Sequence, residues 1–423
     1  MPGLLKTPKT RDDNPSMRRL SPRFLVVAAV MAATLIPARA AFAFSDVPKS
    51  YWDYTAIQYV AVTNSWMQDY GPDTFGPTTR ETRGFLARAL VLAYAPDEPP
   101  DPSITFSDLP PDDPLYPYAN VAVKLGWIPK YASGKFGPVD PVRGSLLDFA
   151  LIKATELFEA PLAGLAAIHE GDGTPYVVSG RWPHIMLAHY LGLHYNHSNE
   201  KQDFGAKSKV NRDEVAYSVW KAKTLPQYKI DSTARYNDIT LIGLSDSQQA
   251  KHELTQEALD QVGYPYIWSG EWNAKSPSGY CCGYQPQGGF DCSGFVWWVM
   301  KRYEDGYNAA KYRVYAGWSI HDRSSSYMAK NTPSPIVFDK LRVGDLMLFS
   351  SNGGKKWSDV NHVGLYMGNG WMIHSSGSND GPIVQWVADG YYRDNFVYGR
   401  RIIGVPPKFN SAPLSQLTAG DSA

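Results

Sequence analysis

The sequence predicts a multidomain protein in which an all-α triplet of repeats precedes an α+β domain built on an antiparallel sheet. Three observations carry this expectation. From residue 44 to about 225, one pattern runs three times: an aromatic-led helix, a loop closing on Phe-Gly, and an arginine opening a second helix. Near 295–300 an apolar run with helical character follows a glycine-rich turn, and around His362 and His374 apolar segments alternate as strands do. At 423 residues the chain is too long for one ordinary domain.

The N-terminus carries Arg18, Arg19 and Arg23, then a thirteen-residue apolar run, 24–36, then the small residues Ala38-Arg39-Ala40 and Ala41-Phe42-Ala43. Crossing a bilayer takes about 20 apolar residues. The segment 1–43 therefore reads as a secretory signal cleaved after Ala40 or Ala43, which leaves no stable membrane span and sends the protein outside the cell. The 41 basic and 41 acidic residues cancel, which argues against nucleic acid as a partner, since such proteins present a basic surface. Three cysteines, Cys281, Cys282 and Cys292, fall within twelve residues. A disulfide scaffold would spread them along the chain, and an odd count leaves at least one thiol free.

The first helices of the three units open at Tyr51-Trp52-Asp53-Tyr54, Tyr116-Pro117-Tyr118 and Trp182-Pro183-His184. Their loops close on Phe75-Gly76-Pro77, Phe136-Gly137-Pro138 and Phe204-Gly205-Ala206, and Arg80, Arg143 and Arg212 then open the second helices, 63 and 69 residues apart. Ser45-Asp46-Val47 and Ser107-Asp108-Leu109 also correspond, whereas the third unit lacks that element. Two short helices cannot bury their own apolar faces, so the units should pack on one another. This arrangement resembles a triplet of S-layer homology modules, here 44–98, 103–160 and a divergent 161–225. The resemblance rests on Thr79-Arg80-Glu81, Val142-Arg143-Gly144 and Asn211-Arg212-Asp213-Glu214. It implies binding of an anionic secondary cell-wall polymer, for which guanidinium groups suit carboxylate or phosphate. Arg80, Arg143 and Arg212 are the expected polymer-binding residues. A cation at the positive end of a helix otherwise opposes the dipole.

Pro96-Asp97-Glu98-Pro99-Pro100-Asp101-Pro102 reads as a stiff spacer between the first two units. Residues 226–247 lack periodicity and read as a linker to a second domain, 248–405. The small, polar stretch 406–423 reads as a disordered tail.

Within 248–405, Cys292 follows Gly288-Gly289-Phe290-Asp291 and precedes the apolar run 295–300, which Lys301 and Arg302 close. It therefore sits in the first turn of a helix, where unpaired amides and the dipole favour a thiolate. The expected thiol is unusually acidic, and Asp291, Ser293 and Gly294 beside it argue against deep apolar burial. His362 opens a strand, Gly368-Asn369-Gly370 turns the chain, and His374 lies on the return strand, 12 residues on. With a three-residue loop, 368–370, His374 falls opposite Gly364 and on the same face as His362, one diagonal step of about 7–8 Å away. A two-residue Asn-Gly loop would put the two histidines on opposite faces. Cys292 is thus the expected nucleophile, His362 the general base and His374 the group that orients it.

These residues, with Tyr264-Pro265-Tyr266-Ile267-Trp268-Ser269-Gly270, Gly344-Asp345-Leu346 and His362-Val363-Gly364, resemble the NlpC-type family of papain-like cell-wall cysteine peptidases. The resemblance implies a secreted, wall-associated endopeptidase cutting peptidoglycan stem peptides at D-γ-glutamyl–diamino acid bonds, with no metal or organic cofactor. It places Tyr266 beside the thiolate, gives the backbone amide of Cys292 an oxyanion role, and sets Asp291 and Ser293 along the substrate groove. Ser269 stands where the family usually has glycine. Cys281 and Cys282 lie in an enlarged loop, 273–287, as a vicinal disulfide, a reversible partner of Cys292, or unreacted thiols. His169, His184, His189, His194 and His197 read as ordinary helix or loop residues rather than a zinc site.

Overall fold

The computed structural model describes residues 44–68, 70–244, 248–275, 284–301, 320 and 322–403. The segment 1–43, the pair Cys281-Cys282 and the stretch 406–423 lie outside the described residues. Among those described, no helix is long and apolar enough to cross a membrane.

The N-terminal half is helical, with only single bridges and one short strand pair. α1 (Tyr54–Ile57) continues as a π-turn over Gln58–Thr63 and is followed by α2 (Arg83–Tyr94). α3 (Tyr116–Lys124) precedes α4 (Gly144–Thr155), and α5 (Glu159–Ala166) leads to the two-residue strand β1 (His169–Glu170). α6 (Trp182–Leu191) precedes α7 (Arg212–Lys223). Proline stands in the first turn of both α3 and α6, where its missing N–H costs no helical bond.

The loops before α2, α4 and α7 meet one another. Glu81 donates its N–H to Val210 O (3.0 Å), Val210 to Val142 O (3.0 Å), and Val142 to Glu81 O (2.9 Å), a closed ring of three backbone bonds. Asp46 accepts from the Phe75 and Gly76 N–H groups, and Asp108 from those of Phe136 and Gly137. At the third loop Gly205 donates to the Ser208 hydroxyl instead. The arginines depart from expectation. The first helical residues of α2 and α7 are Arg83 and Arg212, so the counterpart of Arg212 in the first unit is Arg83, not Arg80. Arg83 donates Nε to Phe136 O (2.7 Å) and Arg212 donates Nε to Phe75 O (2.9 Å), each reaching into the next unit round the ring.

The stretch 226–247, expected as a linker, carries α8 (Gln227–Ser232), a 3-10 turn (Thr233–Asp238) packed on α5, and β2 (Thr240–Leu241), which runs parallel to β1. Tyr236 is buried there, its hydroxyl bonded to Val384 O (2.5 Å). One or two apolar anchors per turn left too little periodicity to see from sequence.

α9 (Gln249–Leu259) then leads to the hairpin of β3 (Glu271–Trp272) and β4 (Gly289–Phe290), and to α10 (Cys292–Lys301). The strands β5 (Leu346–Phe349), β6 (His362–Gly368), β7 (Trp371–Ser376), β8 (Gly381–Trp386) and β9 (Phe396–Arg400) form an antiparallel sheet in the order β8-β7-β6-β5-β9. β5 is buried on both faces: Leu346 and Leu348 join the main core, whereas Met347 and Phe349 pack with Met372 and Phe396 behind the sheet. α10 packs on β6 and β7, with Trp297 and Trp298 nearly fully buried. One continuous core runs from the helical half into this sheet. The Ser376–Asp380 loop fastens the two halves: the Asn379 amide donates to the carbonyls of His189 and Tyr190 at the end of α6.

Candidate active site

Asp291 builds the head of α10. Its Oδ1 accepts from the Gly294 N–H (2.5 Å) and the Ser293 hydroxyl (3.1 Å), a side-chain cap for a helix N-terminus. Arg323 lies across both residues, donating to Asp291 Oδ1 (3.2 Å), Ser293 Oγ (2.9 Å), Gly270 O (3.2 Å) and Glu271 Oε2 (2.5 Å). Asp291 and Ser293 therefore hold Cys292 in place and do not line a groove as expected. Ser293 is buried, and the Asp291 carboxylate is saturated by helix amide and guanidinium. Arg323 escaped the sequence reading because nothing in its neighbourhood shows a pattern.

Cys292 keeps part of its surface open. Its thiol is nevertheless not acidic. Burial, and then the Asp291 carboxylate, push it up to about 12, against the pull of the Val363 and Ser293 N–H groups and of Arg323. The Ser293 N–H at the head of the helix pulls in the expected direction, but burial, and then the Asp291 carboxylate one residue away, outweigh it. The Val363 N–H at the sulfur places Cys292 against the start of β6, next to His362.

His362 donates or accepts through Nε2 at 2.7 Å from His374 Nδ1, the rings perpendicular with centroids 4.9 Å apart. The hairpin reaches this by a different route from that expected. Asn369 and Gly370 alone form the turn, both at positive φ (49° and 83°), as an Asn-Gly turn between twisted strands requires. The pairing Tyr366↔Met372 then jumps to Gly368↔Trp371, so Met367 is an extra residue. That bulge restores the parity that a two-residue loop would have broken. Gly364 stands opposite, where any Cβ would collide with Met372 and His374.

Burial lowers His362 to about 4 and drives His374 further below the ordinary imidazole range, His362 adding to the effect. Burial thus favours the uncharged form of the thiol and of both rings. His374 Nε2 is buried and finds no hydrogen-bond partner among the described residues. Tyr392 packs on both histidines, 5.1 Å from the His374 ring centre and 6.1 Å from that of His362. Tyr266 lies close enough for the Cys292 and Asp291 charges to add to burial in raising its phenol above the usual range. Its N–H donates to Asp380 Oδ1 (3.2 Å), a buried carboxylate beside His194. A cleft of about 430 Å³ opens at His362, walled by Phe349, Ser376, Tyr392 and Asn395, and by Lys229 of α8.

Ser269 adopts φ 60°, the left-handed conformation in which a Cβ costs about 1–2 kcal/mol. Ser269→Gly should raise stability by about 0.5–1 kcal/mol in urea unfolding, the added freedom of the unfolded glycine removing part of the gain.

The expected polymer-binding arginines separate into two kinds. Arg80 and Arg143 are exposed and each donates Nη1 into the segment before α7: Arg80 to Lys209 O (2.7 Å), Arg143 to Lys207 O (2.6 Å). With the exposed Lys207 and Lys209 they make one basic patch. Arg212 is fully buried, paired with Glu81 (3.2 Å) and set over the Tyr70 and Phe75 rings (4.6 and 4.8 Å). It cannot meet a polymer, because the loop carbonyls of the first unit enclose it. His194 and His197 hold Asp148 (2.6 Å) and Glu214 (2.5 Å).

A cysteine at the head of a helix, its sulfur met by the amide that follows His362, beside a hydrogen-bonded histidine pair on an antiparallel sheet, offers a nucleophile and a base of the kind cysteine hydrolases use. Residues 263–401 match the NlpC/P60 family, and residues 105–144 match the S-layer homology domain. The chain is 32% identical over 123 residues, 29% of its length, to a "probable endopeptidase" of Mycobacterium tuberculosis, of which it spans 23%. It is 30% identical over 134 residues, 32% of its length, to the gamma-D-glutamyl-L-lysine dipeptidyl-peptidase of Bacillus subtilis, of which it spans 35%. Among solved structures it is similar to the peptidoglycan hydrolase RipB of Mycobacterium tuberculosis, with 26% identity, a TM-score of 0.28, and coverage of 39% of this chain and 70% of that one. The chain thus spans just under a quarter of the first of these curated relatives and about a third of the second.

Proposed function

We propose that this protein is an exported, wall-bound cysteine endopeptidase of peptidoglycan. The carrying observation is the pair His362–His374, hydrogen-bonded at 2.7 Å, beside a strand amide that meets the Cys292 sulfur. With the His362 proton on Nε2 and donated to His374 Nδ1, His362 Nδ1 is left as the basic nitrogen. It takes the thiol proton as sulfur attacks the amide carbonyl, then returns it to the departing amine. Water releases the acyl group by the reverse use of the same base. His374 fixes the tautomer, and Tyr266 with the Cys292 backbone amide receives the oxyanion. The thiolate forms only as His362 takes the proton, since neither group is charged at rest.

The bond cut is that between D-γ-glutamate and the diamino acid, a reading that the similarity to a gamma-D-glutamyl-L-lysine dipeptidyl-peptidase supports. The units 44–98, 103–160 and 161–225 act as three S-layer homology repeats that hold the enzyme on an anionic wall polymer through Arg80 and Arg143, with Lys207 and Lys209, raising local substrate concentration. The domain 248–405 carries the chemistry. Wild-type protein incubated with purified sacculi should release fragments with new γ-glutamyl C-termini in mass spectrometry, and Cys292→Ala should release none. Intact stem peptides freed from muramic acid would instead make the enzyme an amidase.

A further inference from the structure

The cleft at His362 does not end at the sheet. Two of its lining residues, Lys229 and Ser378, also line an adjoining cleft of about 360 Å³, walled further by residues of α6, α7 and α8. Lys229 stands at the junction. Its Nζ donates to Tyr190 O (3.0 Å) and lies 4.6 Å from the centre of the Tyr190 ring. That holds the ammonium in place with one of its three N–H donors. Among the described residues no carboxylate pairs with it, and the charge that acts on it is another cation, Lys221 of the adjoining cleft. Burial and Lys221 together keep the ammonium below the usual lysine range. A half-buried cation without a counter-charge is costly in a folded protein unless a ligand completes it.

We propose that Lys229 determines specificity at this cleft, its ammonium receiving a free carboxylate of the stem peptide whose scissile bond lies at Cys292. The inference rests on the hydrolase reading above. It identifies the occupant as an acidic peptide rather than a polysaccharide, because the cleft that Lys229 walls opens at His362, the base that serves the peptide bond. A γ-linked glutamate leaves its α-carboxylate outside the chain, beside the bond to be cut, and the peptide C-terminus offers a second.

The test uses the full chain and two pairs of synthetic stem peptides. One pair carries carboxylate or carboxamide at the γ-linked glutamate, the other at the C-terminus. Wild type should cleave one of the acids with kcat/KM about tenfold or more above its amide, the size of a charge-assisted hydrogen bond. Lys229→Met should erase that preference by raising KM for the acid, with kcat and amide cleavage little changed, and Lys229→Arg should restore part of it. A wild-type enzyme with no acid preference in either pair overturns the proposal without need of a variant. So does a folded Lys229→Met that keeps the preference. Failure of the hydrolase reading looks different: wild type then cuts none of the four peptides, and both readings fall together. Equal loss of acid and amide cleavage in Lys229→Met would reveal a purely structural lysine.

Discussion

His362→Ala is expected to lower kcat/KM on a γ-glutamyl stem peptide by about 10²–10⁴-fold, the range for a general acid–base group, with the fold unchanged by circular dichroism. The pH dependence separates base catalysis from a preformed ion pair. His362 stands at about 4 and Cys292 at about 12, both moved away from neutrality. On the acid side, wild-type activity should fall only as pH drops toward 4, where His362 becomes protonated and cannot accept the thiol proton. Alkylation of Cys292 by iodoacetamide should be slow near pH 6 and rise continuously up to the alkaline limit of the experiment. A plateau of fast alkylation from pH 5 upward would show a resting thiolate, and the neutral-pair mechanism would be wrong. In His374→Ala, His362 loses its tautomer-fixing partner, and activity should fall although the nucleophile and base remain.

Arg212→Met is expected to cost about 3–5 kcal/mol, because it leaves the buried Glu81 without its guanidinium. That is a large part of the roughly 5–15 kcal/mol typical of a folded protein, and urea unfolding would read it directly. Arg80→Ala and Arg143→Ala should each change stability by less than about 0.5 kcal/mol, since both side chains lie on the surface. They should instead weaken pull-down by purified wall polymer, more so together than singly. Arg212→Met with unaltered stability would mean that the ring of loops does not depend on this pair.

How far the site was legible can be followed residue by residue. The position of Cys292 at a helix start followed from a glycine-rich turn before an apolar run, and His362 and His374 followed from strand alternation. Local periodicity encodes such features, and the structure keeps them. The acidity of the thiol was misread, because the dipole is a local property, whereas burial and the Asp291 carboxylate depend on what packs around the sulfur. Asp291 and Ser293 were assigned to the groove for the same reason: sequence reveals that they adjoin the nucleophile, not that Arg323, 32 and 30 residues on, turns them inward. Tyr392 and Lys229 carry no spacing signal at all. They reach the cleft only through the return of the last strands and the packing of α8.

Local pattern alone located helices of the N-terminal half, the residue that heads the helix α10, and the two histidines that share a hairpin. Each depends on a period of a few residues and on turn chemistry that neighbouring side chains set. Only the tertiary structure decided which arginine is buried, which is exposed, and that a bulge at Met367 rather than a longer loop brings the histidines together. Tertiary packing, too, raised the Cys292 thiol and made α8 a wall of the cleft at His362. Burial and long-range pairing depend on residues from tens of positions apart, as Cys292 and Val363 are, to more than a hundred, as Glu81 and Arg212 are, which no local pattern records.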